Sequence, residues 1–157
     1  MKKLLVFIPL YFLILQALAF EPGDDDKKAV MKVIEQLFDG MKEADSAKIS
    51  ATFYKPDNNP ARLQSISVRN EQPVLQEETL QRFLEAIASP HDQVYDERLY
   101  DPVILVDDHM ATVWVNYKFF IGDQFSHCGV NVFQLFKSDK GWKIVSITDT
   151  RRRDNCN

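Results

Sequence analysis

The chain is predicted to fold as an α+β domain, about three N-terminal helices packed on one face of a strongly curved, mostly antiparallel sheet. Two observations predict this. Apolar residues recur at helical spacing in the stretches around Val30 to Phe53 and Leu80 to Ile87, whereas from Tyr95 almost to the end the period becomes two. Helices first and a long meander afterwards is the pattern of helices segregated to one side of an antiparallel sheet.

Taken in order, Lys2 and Lys3 give a positive start, Leu4 to Leu15 an apolar run, and Ala17-Leu18-Ala19 a small-x-small cleavage site. Residues 1–19 are therefore expected to be a signal peptide, removed to leave 138 of the 157 residues. The run is shorter than the roughly 20 residues of a spanning helix. The expected location is periplasmic or secreted, with no membrane contact after cleavage. Residues 20–27 read as a flexible lead-in, 28–153 as one domain and 154–157 as a C-terminal tail.

Val30, Val33, Ile34, Leu37, Phe38 and Met41 form one helical face. Asp45-Ser46 reads as the N-cap of a short second helix, stopped by the turn cluster Pro56 to Pro60. Arg62 to Val68 alternates as a short strand. Glu77 to Ala88 places Leu80, Phe83, Leu84 and Ile87 on a third helical face, ended by Ser89-Pro90. Strands follow near Tyr95 to Val106, Ala111 to Ile121, Gln124 to Phe136 and Trp142 to Thr150.

The mature part carries 17 Lys+Arg against 23 Asp+Glu, a net charge of −6, which excludes a nucleic-acid binder with clustered basic charge. His91, His109 and His127 have no zinc-site spacing, and the acidic stretch Asp92, Asp96, Glu97 and Asp101 matches no calcium loop, so neither metal nor cofactor is expected. That stretch reads as a solvated strand entrance. Cys128 and Cys156 are the only cysteines; export permits a disulfide between them, and two free thiols are the alternative.

Gly122-Asp123 is a two-residue hairpin signal and pairs Ile121 with Gln124; counting back pairs Trp114 with Asn131. Asp139-Lys140-Gly141, read as a three-residue loop, pairs Ser138 with Trp142 and hence Asn131 with Asp149. Trp114, Asn131 and Asp149 then form one row on the pocket face, joined there by Asn116, Lys118, His127, Phe133, Leu135, Val145 and Ile147. Val113, Val115, Tyr117, Cys128, Val130, Val132, Gln134, Ile144, Ser146 and Thr148 fall on the outer face. Its apolarity predicts a homodimer through the outer sheet face.

The helix pair Val30 to Phe53, the third helix, and the stretch from Phe125-Ser126-His127-Cys128-Gly129-Val130 through Gly141-Trp142-Lys143-Ile144 to Asp149-Thr150-Arg151-Arg152 resemble the nuclear-transport-factor-2-like superfamily. That group includes the SnoaL-like cyclases and the putative lumazine-binding families. The resemblance spans Lys27 to Arg153 and implies a cone-shaped fold enclosing a pocket, commonly with sheet-to-sheet dimers. It carries over no catalytic residue, since binding domains and enzymes share the fold.

The pocket row predicts a site for a small, partly aromatic molecule, lined by Trp114, Asn131 and Asp149, with Gln64 and Arg151 at its polar end. The alternative is an acid-base enzyme, an isomerase, dehydratase or cyclase, with Asp149 as base and His127 or Asn131 orienting the substrate. Against a catalytic Asp149 stands the simpler reading of a carboxylate paired with Arg151 or bonded to Asn131. Ser126 and His127, as strand neighbours, are expected on opposite faces, which excludes serine catalysis.

Overall fold

The computed structural model describes residues 23–56 and 60–156; the expected signal peptide and residues 57–59 of the turn cluster lie outside them. Helix α1, Asp24–Lys42, buries Val30, Ile34, Leu37 and Met41 as the spacing predicts. It begins inside the expected lead-in. Asp24, Asp25 and Asp26 place negative charge at the positive end of the helix dipole, and Asp26 accepts hydrogen bonds from Lys137 Nζ (2.9 Å) and Trp142 Nε1 (3.0 Å). Those contacts tie the first turn to the sheet. Helix α2, Ser46–Ser50, is capped by Asp45, whose carboxylate accepts from the Lys48 amide at 2.9 Å.

The hairpin β1 (Arg62–Arg69) and β2 (Gln72–Thr79) follows. Only β1 is anticipated by sequence pattern. The turn Asn70-Glu71 holds both residues at positive φ, 50° and 62°, a backbone normally signalled by Asn-Gly, and glutamate masks it. Residues 77–79 of the expected third helix complete β2. Helix α3, Leu80–Ala88, starts only after Thr79, whose hydroxyl accepts from the Arg82 amide at 3.2 Å.

Strands β3 (Tyr95–Asp107), β4 (Met110–Ile121), β5 (Gln124–Ser138) and β6 (Gly141–Arg151) form the meander. The six-stranded sheet has the order β2-β1-β6-β5-β4-β3, with β1 parallel to β6 and all other pairs antiparallel. The helices cover one face, where Val30, Ile34, Ile49, Val113, Val115, Phe133 and Ile144 are fully buried. No helix among the described residues is long and apolar enough to cross a membrane.

Three β-bulges decide which side chains face the helices. Ile121 pairs with Gln124 as expected, but a shift beside Phe119 pairs Phe119 with His127, Val115 with Asn131 and Trp114 with Val132. One extra residue, Ser126, reverses every face beyond it. Trp114 is thus on the outer face, 53 % exposed, with Asn116 and Lys118. Val113, Val115 and Tyr117 are buried under the helices instead. The turn after β5 is the two-residue Asp139-Lys140, pairing Ser138 with Gly141, and a second bulge near Val145 restores the pairing of Asn131 with Asp149. Ile144, paired with Leu135, is also moved to the covered face. The third bulge lies in β3, between Tyr100 and Val103, where Asp101 takes φ 51°.

Candidate functional site

The concave face of the sheet and helices α1 and α3 enclose a cavity of about 310 Å³. Its apolar floor is Leu37, Phe38 and Met41 from α1, Phe83 from α3, and Leu63, Phe133 and Ile147 from the sheet. The floor follows from helical spacing on α1 and from strand alternation, since Leu63, Ile147 and Phe133 occupy one register row.

The next row carries the polar wall. Ser65, Asp149, Asn131 and Val115 are successive partners across four strands. Asn131, only 4 % exposed, donates from Nδ2 to Glu97 Oε1 at 2.6 Å. Asp149 accepts from Arg151 Nε at 2.7 Å and Nη2 at 3.2 Å. The Tyr117 hydroxyl donates to the Thr150 carbonyl at 2.9 Å and lies 3.4 Å from Asp149 Oδ2. His127 completes the wall beside Tyr117 and Phe119, with ring centroids 5.7 and 5.1 Å away.

The electrostatics follow from burial and charge. Burial pushes the Glu97 carboxyl up to about 8, the Asn131 amide opposing it and the Asp149 charge adding to it. Burial, with Asp149 and Glu97 nearby, also raises the Tyr117 hydroxyl. His127 is lowered by burial and then by the Arg151 charge, which favours its neutral ring. The hydrogen bond to Asp149 raises Arg151.

Of the residues expected at the site, Asn131, Asp149, Arg151 and His127 line this cavity. Trp114 does not; the bulge sends it to the other side of the sheet. Gln64 borders the cavity, but its row is that of Thr148, Val132 and Trp114. Its amide accepts from Thr148 Oγ1 at 3.2 Å and donates to Glu77 Oε1 at 2.7 Å. Asp149 is held by Arg151, the simpler of the two readings above. Ser126 and His127 are not separated as expected: the bulge brings Ser126 Oγ to 3.0 Å from His127 Nδ1.

Glu97 and Tyr117 are the site residues that sequence reasoning missed. Glu97 belongs to the alternating set Tyr95, Glu97 and Leu99, of which the two apolar members pack on the core. An acid within an apolar stripe was the available signal. Because Glu97 is raised on folding, its contribution to stability is full below the ordinary value of 4.5 and is lost as pH rises through about 8. Urea melts are expected to show stability declining across that window in the wild type and a flatter profile in Glu97→Gln.

Cys128 and Cys156 form a disulfide, with Cα atoms 5.8 Å apart. The amides and carbonyls of Cys128 and Arg152 exchange two 2.9 Å hydrogen bonds, so the bridge pins the chain immediately after Arg151. It spans a sequence separation of 28; its removal by Cys156→Ser is expected to cost about 2 to 4 kcal/mol in chemical denaturation.

The family model described as putative lumazine-binding matches residues 25–148. No curated protein matches the chain. Among solved structures, one described as a putative dehydratase of the nuclear-transport-factor-2-like family from Streptomyces avermitilis superposes with a TM-score of 0.65 at 16% identity, covering 83% of this chain and 99% of that one. A nuclear-transport-factor-2-like protein of unknown function from Shewanella baltica gives 0.61 at 18% identity, covering 83% and 96%. A nuclear-transport-factor-2-like protein from Cytophaga hutchinsonii gives 0.62 at 12% identity, covering 80% and 97%. At such identities the likeness shows the fold, that of the nuclear-transport-factor-2-like proteins, and the family model, matching well over half of the chain, shows the family: the chain belongs to the putative lumazine-binding family.

Proposed function

We propose that the protein binds a small, partly aromatic molecule in the cone pocket. The observation that carries this reading is the division of the cavity into an apolar floor around Phe38, Phe83 and Phe133 and a polar wall around Asn131, Glu97 and Asp149. A flat ring buries apolar area on the first while the second orients its polar edge. The family description supports the same class of ligand. Calorimetric titration with lumazine and with the indole tryptophol tests it: Asn131→Ala is expected to weaken binding about tenfold or more while costing about 1 to 3 kcal/mol of stability. Absence of binding by the wild type contradicts the reading.

A second reading, acid-base catalysis, is favoured by one observation, the perturbed Glu97 carboxyl set 2.6 Å from Asn131 in a cleft. Asp149→Asn and Glu97→Gln keep shape and remove the ionisable group. Turnover of a bound carbonyl compound that both changes abolish supports this reading; turnover that survives both contradicts it.

Export to the periplasm or medium is supported by residues 1–19 and by the disulfide, which persists in oxidising compartments. Intact mass of the mature chain, starting at Phe20, tests it. A homodimer through the outer sheet face is supported by the exposed Trp114, Val103 and Leu105. Light scattering is expected to show a dimer that Val132→Lys dissociates; a wild-type monomer contradicts it.

A further inference from the structure

We propose that the pocket selects ligands bearing a basic nitrogen, an amine or amidine at the end of a flat apolar body, and that the Glu97 carboxyl receives that nitrogen. The inference rests on the pocket-binding reading and names the chemical class of its ligand.

The argument is one of charge pairing. On the concave side the sheet and α3 present the acids Glu78, Glu97 and Asp149 and the cations Arg82 and Arg151. Glu77 also borders the cavity, but it pairs with Gln64 in the outer-face row and accepts that residue's amide. Arg151 is committed to Asp149, with two nitrogens on the two carboxylate oxygens. Arg82, in the first turn of α3, stands 4.0 Å from Glu78 near the end of β2. The cavity residues from α1, Leu37, Phe38 and Met41, carry no charge. Glu97 is therefore the acid left without an ion pair of its own, Arg151 acting on it only at longer range. Among the described residues it forms no salt bridge within 4.0 Å, and its one side-chain hydrogen-bond partner, the Asn131 amide, engages Oε1. Oε2 is left for a ligand donor.

An anion has the poorer receptor: Arg151 is spent on Asp149, and Arg82 lies at the exposed rim beside Glu78. A cation placed at Oε2 gains a charge-assisted hydrogen bond and an ion pair in a water-poor site. A neutral hydroxyl gains only an ordinary bond. The floor of Phe38, Phe83 and Phe133 receives the flat body.

Receiving the cation requires Glu97 to be ionised, and burial holds its carboxyl up at about 8. The groups facing it are Asp149, Arg151, Tyr117 and Asn131; His127, lowered by burial and then by Arg151, lies beyond Phe119 in the same row. Binding of an amine below that value therefore expels a proton, and its affinity climbs with pH.

Three indoles of similar bulk test this by calorimetry: tryptamine, an ammonium; tryptophol, a hydroxyl; and indole-3-acetate, a carboxylate. At about pH 8.5 tryptamine is expected to bind the wild type at least about tenfold more tightly than tryptophol, with indole-3-acetate weakest. From about pH 6 to about pH 8.5 its affinity is expected to rise by about 50- to 100-fold, while that of tryptophol stays level. Glu97→Gln, first checked for a cooperative melt, is expected to lose the preference for tryptamine, the ratio of the two affinities falling to about one. If that variant does not fold, the wild-type series alone decides. Equal or tighter binding of tryptophol, or a preference that survives in Glu97→Gln, overturns the assignment and leaves the pocket reading standing. Failure of all three indoles to bind overturns the assignment, and failure of lumazine as well overturns the pocket reading.

Discussion

Replacing Gly129 with alanine is expected to destabilise the fold by about 4 kcal/mol, near the upper end of single substitutions. Gly129 pairs with Tyr117 across β4 and β5. A Cβ there collides with the Thr150 carbonyl oxygen and stands 2.7 Å from its carbon and 2.9 Å from Tyr117 Cε1. Backbone cannot rotate away as a side chain can, so relief requires β5 and β6 to separate. Close packing makes such a shift costly. The damage reaches the pocket directly, because that same carbonyl accepts the Tyr117 hydroxyl. Urea denaturation of Gly129→Ala measures the loss; a melt within about 1 kcal/mol of wild type contradicts the described approach of the two strands.

Phe133→Ala is expected to cost about 3 to 5 kcal/mol. Phe133 is fully buried, pairs with Val113 on one side and Ile147 on the other, and meets Phe38 edge to face with ring centroids 6.0 Å apart. The residue is both core and pocket floor, so truncation adds an enlarged cavity to the lost burial. Phe133→Leu keeps most of the volume and should cost about 1.5 kcal/mol or less. Trp114→Ala is the contrasting case. It removes a larger side chain from a half-exposed outer position, and about 0.5 kcal/mol is expected. Comparable losses at Trp114 and Phe133 would mean that the faces are assigned the wrong way round.

That contrast shows how far sequence reasoning reached. Element types were legible where the signal is local: the α1 face, the Asp45 cap, the Gly122-Asp123 turn and the four long strands all appear as expected. The hidden turn at Asn70-Glu71 concealed β2, because backbone with positive φ is recognisable only when glycine or asparagine occupies it fully. The face assignment failed for a different reason. Counting registers from turns propagates any bulge along the whole strand, and the bulge at Ser126 has no sequence mark. Yet β4 carried its own evidence, since Asn116 and Lys118 share the parity of Trp114 while Ala111, Val113, Val115 and Tyr117 share the other. Local alternation names the solvent face and was the sounder guide. The pairing of Asn131 with Asp149 came out as expected only because the shorter turn and the bulge near Val145 cancel. Glu97 was lost to its neighbours: among Asp92, Asp96 and Asp101 it read as one more solvated acid, although its parity placed it with Tyr95 and Leu99.

The inner polar row and the outer face can be told apart in one titration. Isotope-labelled protein is titrated with tryptophol and followed by backbone amide and indole NMR shifts. The largest changes are expected at Asn131, Asp149 and Tyr117, which border the cavity, with the Trp114 indole N–H unmoved. Shifts centred on Trp114 and Val132, with Asn131 and Asp149 unperturbed, would place the ligand on the outer sheet and contradict the pocket.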